Sequence, residues 1–140
     1  MSAATARQLL TEGGYTCVFC KDGTVHTSTE RGVKPLVAFY RANTPLKGFA
    51  AADKVVGKGA AFLYVLLGVT ALHANVISHA AHDLLVRHGI ALTYDTLVPV
   101  IVNRAGNGTC PFEKAVLAVE DADEAYRVIC AKLDELGIKV

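Results

Sequence analysis

The order of strands and helices is clearest in one stretch, Gly48–Ser78, with the sequence GFAAADKVVGKGAAFLYVLLGVTALHANVIS. Its first residues, Gly48–Ala52, are small or apolar and predict a short buried strand. The two glycines of Asp53–Gly59 predict a loop, and Ala60–Leu67 predicts a helix that is apolar on every face and therefore buried all round. Apolar and polar residues alternate over Ala71–Ile77, which predicts a strand with one better-buried face.

The same alternation continues on both sides of this stretch. Ser78 is expected to cap a helix that ends at Gly89, and Ile90–Tyr94 then alternates as a further strand. Closer to the N-terminus, the pair Asp22-Gly23 separates two strand patterns and predicts a hairpin turn. The other predicted elements are helices over residues 3–12 and 32–42, hairpin strands over 15–21 and 24–28, an extended segment over 97–103, a glycine-rich loop over 105–109, a helix from Pro111, and a last helix from the Asp121 cap to Gly137.

These elements predict the fold class. Strand, helix, strand, helix and strand in succession favour parallel strands, so a hairpin followed by parallel strands is expected. The alternation of helical and extended patterns predicts a layered α/β domain, with three layers of helix, mixed sheet and helix. The length of 140 residues predicts one such domain over residues 1–140.

The composition argues against several classes of function. The chain is 52% hydrophobic and 19% charged, with a formal net charge of +1. Because no segment gathers four or more lysines and arginines, no binding to a nucleic acid polymer is expected. The longest apolar run, Ala60–Val69, is shorter than the roughly 20 residues of a membrane span. The apolar content leaves burial in a homo-oligomer open as an alternative.

The start of the chain and the cysteines predict the compartment. Met1–Glu12 lacks the basic start and the apolar core of a signal peptide, so a cytoplasmic location with free thiols is expected. Cys17 and Cys20 form a C-x-x-C on the first predicted strand. Alternation along that strand puts their side chains on opposite faces, which argues against a shared metal or disulfide.

The segment after the first buried strand predicts a ligand site. Backbone N–H groups at the start of a helix favour an anion, and the lysines there add charge that suits phosphate or carboxylate. Its glycines let the backbone approach a ligand closely. The spacing is not that of a P-loop, and a tight turn with solvated lysines is the alternative. The candidate ligand-binding residues of this segment are Asp53, Lys54, Gly57, Lys58 and Gly59.

A second candidate site lies in the sequence TCPFE, Thr109–Glu113. Proline favours the first position of a helix, which makes Cys110 the N-cap. Glu113 then occupies the third helical position, from which it is expected to bond back to the cap. A thiol at a helix N-terminus has a lowered pKa, so Cys110 is a candidate nucleophile or redox thiol. The alternative is a structural cap packed beneath the preceding loop.

Two polar residues precede this helix across the glycine-rich loop. Arg104 is a candidate to hold a carboxylate or phosphate or to stabilise a thiolate. Asn103 is a candidate donor to an oxyanion. Together with Glu113 they complete the predicted ligand-binding set.

Four segments of the chain resemble a bacterial family, domain of unknown function 1893. They are RGVKPL at Arg31–Leu36, ADKVVGKGA at Ala52–Ala60, VIS at Val76–Ser78, and VNR followed by GTCPFE within Val102–Glu113. The resemblance implies a fold like that of the cytidine deaminases, a superfamily in which this family is placed. It also implies that ligands bind where the glycines and lysines of residues 53–59 lie.

Zinc deaminases of that superfamily need an H-x-E or C-x-E and a later P-C-x-x-C. Neither the segment Thr29–Gly32 nor the segment Asp53–Lys58 supplies these ligands, so no metal and no cofactor are predicted. Three functions remain open. The first is binding, or conversion, of a small anion such as a nucleotide or phosphorylated metabolite. The second is thiol chemistry at Cys110, and the third is a non-catalytic, oligomeric regulatory module.

Overall fold

The computed structural model describes residues 2–103 and 105–140. The five strands lie side by side in the order β2-β1-β3-β4-β5. In chain order the elements are α1 (Ala3–Gly13), β1 (Cys17–Lys21), β2 (Thr24–Ser28), α2 (Lys34–Arg41), β3 (Ala50–Val56), α3 (Lys58–Leu67), β4 (Ala71–Ser78), α4 (His79–Arg87), β5 (Ala91–Val98), α5 (Pro111–Ala115) and α6 (Ala122–Glu135).

The sheet is mixed, as the hairpin and the strand–helix alternation predict. β1 pairs in antiparallel fashion with both β2 and β3. β3, β4 and β5 are parallel, with Ala51 opposite Leu72 and Leu72 opposite Leu92. The hairpin turn has positive φ at both Asp22 (49°) and Gly23 (83°), the conformation in which a two-residue turn matches the strand twist. A hairpin followed by parallel strands is therefore confirmed.

Helices cover both faces of the sheet. On one face, α1 packs across β1, β3 and β4, where Ala6 and Leu10 contact a small apolar cluster. On the other face, α2, α3, α4 and α6 bury the larger core. Cys17 belongs to the larger core and Cys20 to the smaller cluster, which confirms that the two thiols lie on opposite faces.

The loop predicted over Asp53–Gly59 is wrong. β3 continues through Val56, Gly57 is the N-cap residue, and α3 begins at Lys58. The strand continues because its backbone pairs with β4, with Val55 opposite Val76. Three charged residues and two glycines are typical of a loop in a local sequence pattern, but the pairing with a neighbouring strand overrides that preference.

The other predicted helix boundaries are close to the structure. The Ser78 hydroxyl accepts a hydrogen bond from the N–H of Ala81 at the start of α4, and Asp121 caps α6 in the same way. α2 begins at Lys34 rather than residue 32, since Gly32 has φ of 66°. In the part of the chain that the structure describes, no helix is both long and apolar enough to span a bilayer.

Candidate functional site

A cleft of about 1090 Å³ opens where β3 ends and α3 begins. The segments before α2 and before α5, and the C-terminal end of α6, form its other walls. In parallel α/β sheets, ligands bind at this carboxyl edge of the strands. We call it the α3 cleft. It brings together seven of the nine residues singled out from the sequence, namely Asp53, Lys54, Gly57, Gly59, Asn103, Cys110 and Glu113.

Asp53 lies in the wall of the cleft and is only 7% exposed. Its Oδ2 accepts a hydrogen bond of 2.7 Å from the Tyr64 hydroxyl, and its Oδ1 accepts one from the N–H of Val55 at 3.2 Å. Burial raises the pKa of the Asp53 carboxyl to about 7, although the hydrogen bonds that it accepts lower it. Near neutral pH, Asp53 is therefore a mixture of acid and carboxylate. Its hydrogen bonds fix the end of β3 to the core helix α3.

Glu113 does not form the predicted bond back to the helix cap. The N–H of Cys110 donates instead to the Ile101 carbonyl at 2.7 Å. Glu113 turns away from its own helix and is 2% exposed, with Oε2 accepting a hydrogen bond from the N–H of Ile101 at 3.3 Å. Burial raises the pKa of Glu113, and hydrogen bonds together with the charge of Lys58 lower it only in part.

The two glycines at the start of α3 allow α5 to lie against it. A Cβ atom on Gly57 would come within 2.5 Å of Oε2 of Glu113, and one on Gly59 within 3.4 Å of the Phe112 carbonyl oxygen. Neither glycine has a positive φ, so the small side chain matters for space rather than for backbone conformation. The close approach at Gly57 holds the Glu113 carboxyl beside the first turn of α3.

The two lysines of this segment have different positions. Lys58 is 6% exposed, and its ammonium donates to the Leu117 carbonyl at 2.6 Å, so its side chain points away from the lining of the cleft. Lys54 is exposed and lines the cleft, as does Arg31 before α2. Among the described residues neither Lys54 nor Arg31 forms an ion pair, whereas Lys34 pairs with Glu30 at 3.4 Å.

Cys110 is the N-cap of α5, as its position before a proline predicts. It is half-buried, lines the cleft, and makes no side-chain capping bond. The Asn103 side chain is engaged within the loop, since its Nδ2 donates to Asn107 Oδ1 at 3.0 Å and its Oδ1 accepts from the Asn107 N–H. Arg104 lies outside the described residues.

Two residues of the site were not singled out from the sequence. Arg31 lies in one of the segments that resemble the family. Its position just before a predicted helix is the sequence feature that indicates a place at this site. Tyr64 is a polar residue in an otherwise apolar helix, and a buried tyrosine hydroxyl usually requires a partner, which here is Asp53.

The side chains of the cleft do not fit a zinc ion. Across residues 2–103 and 105–140, no group of three or more His, Cys, Asp or Glu side chains gathers where it could hold a metal. A catalytic zinc site needs about three protein ligands.

Comparison with known proteins identifies the family. A family model described as a domain of unknown function, DUF1893, matches residues 5–133. The crystal structure of a DUF1893 family protein (TM1506) from Thermotoga maritima is similar, with a TM-score of 0.85 and 29% sequence identity. The match covers 92% of this chain and 88% of that chain. No curated protein matches the sequence. With more than half of its length matched by the model, this chain belongs to the DUF1893 family.

Proposed function

We propose that this protein binds a small molecule through an anionic group, such as the phosphate of a nucleotide or of a phosphorylated metabolite, in the α3 cleft. The proposal is supported by one observation: the start of α3, whose N-cap glycine has no side chain, lies in one cleft with two cationic side chains that form no ion pair among the described residues. The proposal concerns binding alone and assigns no chemical reaction to the bound molecule.

The start of α3 supplies the backbone part of the site. α3 is ten residues long, and its N-cap residue Gly57 has no side chain to accept a bond from the first turn. The first N–H groups of a helix have no partner within the helix, and together with the helix dipole they favour an anion. In α3 the Glu113 carboxyl already accepts a hydrogen bond from the backbone of Lys58, the first residue of the helix. Gly59 and Ala60, in this first turn, line the cleft.

The side chains supply positive charge. Lys54 and Arg31 line the cleft and are exposed, so both are accessible to a ligand. Asp53 and Glu113 lie in the same wall. Burial raises the pKa of both, and the Asp53 pKa of about 7 reduces the negative charge that Asp53 carries near neutral pH. Protonation of Asp53 weakens the repulsion that an anionic ligand would otherwise meet.

We also propose that the domain is a variant of the cytidine deaminase-like fold. In that superfamily the bound zinc ion would activate water for attack on a nucleobase. The donor set of this cleft does not fit zinc, so no hydrolytic step through a metal is assigned to it. An anion-binding helix start at the same cleft is consistent with loss of the metal and retention of the ligand pocket.

Thermal unfolding in the presence of nucleotides and phosphorylated metabolites tests the anion site. A ligand that binds only the folded protein raises its melting temperature by mass action. We expect at least one phosphate-bearing compound to do so, and Lys54→Ala and Arg31→Ala each to weaken the effect. Lys54 is preferred to Lys58 for this test, because the buried Lys58 contacts a carbonyl group and its loss would disturb the fold.

Arg127→Ala is the matched control. Arg127 is an exposed cation on α6 that does not line the cleft, so its removal changes the net charge equally and leaves the site intact. Equal losses of ligand response in all three variants would indicate non-specific attraction. No response to any phosphate-bearing compound in the wild type would contradict the proposal.

Thiol chemistry at Cys110 is a second candidate, favoured by one observation. Of the four cysteines, Cys110 alone lines the cleft. The rate of alkylation by iodoacetamide, measured against pH in a variant with Cys130→Ser, reports the reactivity of Cys110. A rate no faster than that of an unfolded chain, and unchanged by cleft ligands, would remove this candidate.

A further inference from the structure

We propose that the ligand of the α3 cleft carries an apolar hydrocarbon portion, of the size of a benzene ring or larger, beside its anionic group. Val55, Val102 and Leu136, which line the cleft, contact this portion. The inference rests on the proposed function and narrows it to a chemical class. That class is hydrocarbon-bearing organic phosphates and carboxylates, as opposed to inorganic anions and to the phosphates of sugars and other polyols.

The first observation is a group of apolar side chains that are open to solvent inside the cleft. Val55, Val102 and Leu136 are 44%, 56% and 45% exposed, and all three line the α3 cleft. Single exposed apolar side chains are common on protein surfaces and need no explanation. These three come from β3, from the segment after β5 and from the C-terminal end of α6, and yet they line one site. They indicate an apolar occupant, because pockets for organic ligands are lined predominantly by apolar side chains.

The second observation is the size of the cleft. Its volume of about 1090 Å³ is slightly above the roughly 300–1,000 Å³ that is usual for pockets holding drug-sized molecules. An inorganic phosphate ion fills only a small part of that space. The remainder would hold water against Val55, Val102 and Leu136, whereas a hydrocarbon portion on the ligand releases that water, which favours binding.

The apolar lining reaches the start of α3, where the anion is expected. Ile101 lines the cleft next to Val102, and its Cγ1 lies 3.2 Å from the position that a Cβ atom on Gly57 would take. Phe112 is also in the lining, and its Cβ lies 3.5 Å from the position of a Cβ atom on Gly59, in the first turn of α3. The anionic group and the hydrocarbon portion of one small molecule can therefore contact the helix start and the apolar wall together.

A second copy of the chain fits these apolar side chains less well than a small molecule does. In an interface between two identical surfaces, each copy presents the same residues to the other. The exposed cations of the cleft, Lys54 and Arg31, would then lie in that interface on both copies, and like charges brought together cost free energy. An anionic ligand meets the same two cations with charge of the opposite sign.

Leu136→Gln and Val102→Thr test the apolar wall. Each replaces an exposed apolar side chain of the cleft by a polar one of similar size. The backbone contacts are kept, such as the hydrogen bond of 3.0 Å from the N–H of Leu136 to the Lys132 carbonyl. Leu117→Gln is the matched control. Leu117 is 58% exposed, lies outside the lining of the cleft, and contacts Lys58 through its backbone carbonyl, which the substitution leaves in place.

The probes are inorganic phosphate, glycerol phosphate and phenyl phosphate, and the measurement is isothermal titration calorimetry at neutral pH. Glycerol phosphate and phenyl phosphate are both phosphate monoesters, and they differ in whether the substituent is polar or apolar. In the wild type we expect phenyl phosphate to bind about tenfold more tightly than glycerol phosphate, which corresponds to about 1.4 kcal/mol. Leu136→Gln and Val102→Thr should each reduce this ratio by about threefold, because part of the apolar contact is lost. Leu117→Gln should preserve it.

The wild-type preference tests the inference even if neither cleft variant folds. Equal affinity for the two monoesters in the wild type overturns the inference while the anion site stands. A preference that persists unchanged in both Leu136→Gln and Val102→Thr overturns it as well. Sedimentation that shows a dimer of the wild type, dissociated by these two substitutions and not by phenyl phosphate, would assign the apolar wall to a second copy and overturn it too. Failure of all three probes to bind the wild type contradicts the proposed function itself, and the inference is then rejected with it.

Discussion

A methyl group added at Gly57 would lie 2.5 Å from Oε2 of Glu113 and 3.2 Å from Cγ1 of Ile101. The carboxyl must move, and its hydrogen bond from the N–H of Ile101 is then lost. A buried N–H left without a partner costs about 1–3 kcal/mol. Alanine also lowers the conformational entropy of the unfolded chain relative to glycine, which stabilises the folded state by about 0.4–1 kcal/mol. We therefore expect Gly57→Ala to lower the free energy of unfolding by about 1–2 kcal/mol.

Gly59→Ala is the control for this experiment. Its added methyl would meet the Phe112 carbonyl oxygen at 3.4 Å, an ordinary contact, and alanine is favoured over glycine in a helix by up to about 1 kcal/mol. Urea unfolding followed by circular dichroism should therefore show Gly59→Ala to be at least as stable as the wild type. If Gly57→Ala proves equally stable, the close approach of Glu113 to α3 is not as described.

A double variant identifies the cause of the lower free energy of unfolding expected for Gly57→Ala. In Gly57→Ala with Glu113→Ala the carboxyl that meets the new methyl is gone, so the two effects should be less than additive. Residues in contact typically show a coupling of about 0.5–3 kcal/mol. Additive effects within about 0.3 kcal/mol would mean that Gly57 and Glu113 do not contact each other as described.

Three further predictions concern Asp53 in the wall of the cleft and two residues outside its lining, Tyr64 and Ser78. Folding raises the pKa of Asp53 to about 7 from an unfolded value of about 3.9. Its contribution to the free energy of unfolding therefore falls by about 3–4 kcal/mol as the pH rises from about 4 to about 7. Urea unfolding measured across this pH range should show the fall in the wild type and not in Asp53→Asn. Tyr64→Phe removes a buried donor to Asp53 and should cost about 1–3 kcal/mol in the same assay. Ser78→Ala removes the N-cap of α4 and should cost about 1 kcal/mol, and a melting temperature equal to the wild type would contradict that role.

The sequence predicts the site in outline because its signals are local. A proline after Cys110 is enough to place a helix start there, and the structure confirms Cys110 as the N-cap. Helix starts and glycines also mark the beginning of α3 to within two residues. Parallel strands then bring these two helix starts to one edge of the sheet, which explains why most of the predicted residues meet in one cleft.

The roles of individual side chains depend on tertiary contacts that no local pattern reveals. The spacing of Cys110 and Glu113 fits a capping box, but the Ile101 carbonyl takes the cap N–H and Glu113 packs against α3 instead. Lys58 looks like a ligand contact, but a carbonyl 59 residues away accepts its ammonium. The charged end of β3 looks like a loop until its pairing with β4 is known.

NMR can show residue by residue whether the start of α3 holds an anion. Amide chemical shifts of ¹⁵N-labelled protein, followed during a titration with inorganic phosphate, report which N–H groups meet the ion. We expect saturable shifts at Gly59 and Ala60 that weaken in Lys54→Ala and persist in Arg127→Ala. Shifts confined to other surfaces, or unchanged amides of Gly59 and Ala60 at saturating phosphate, would contradict it.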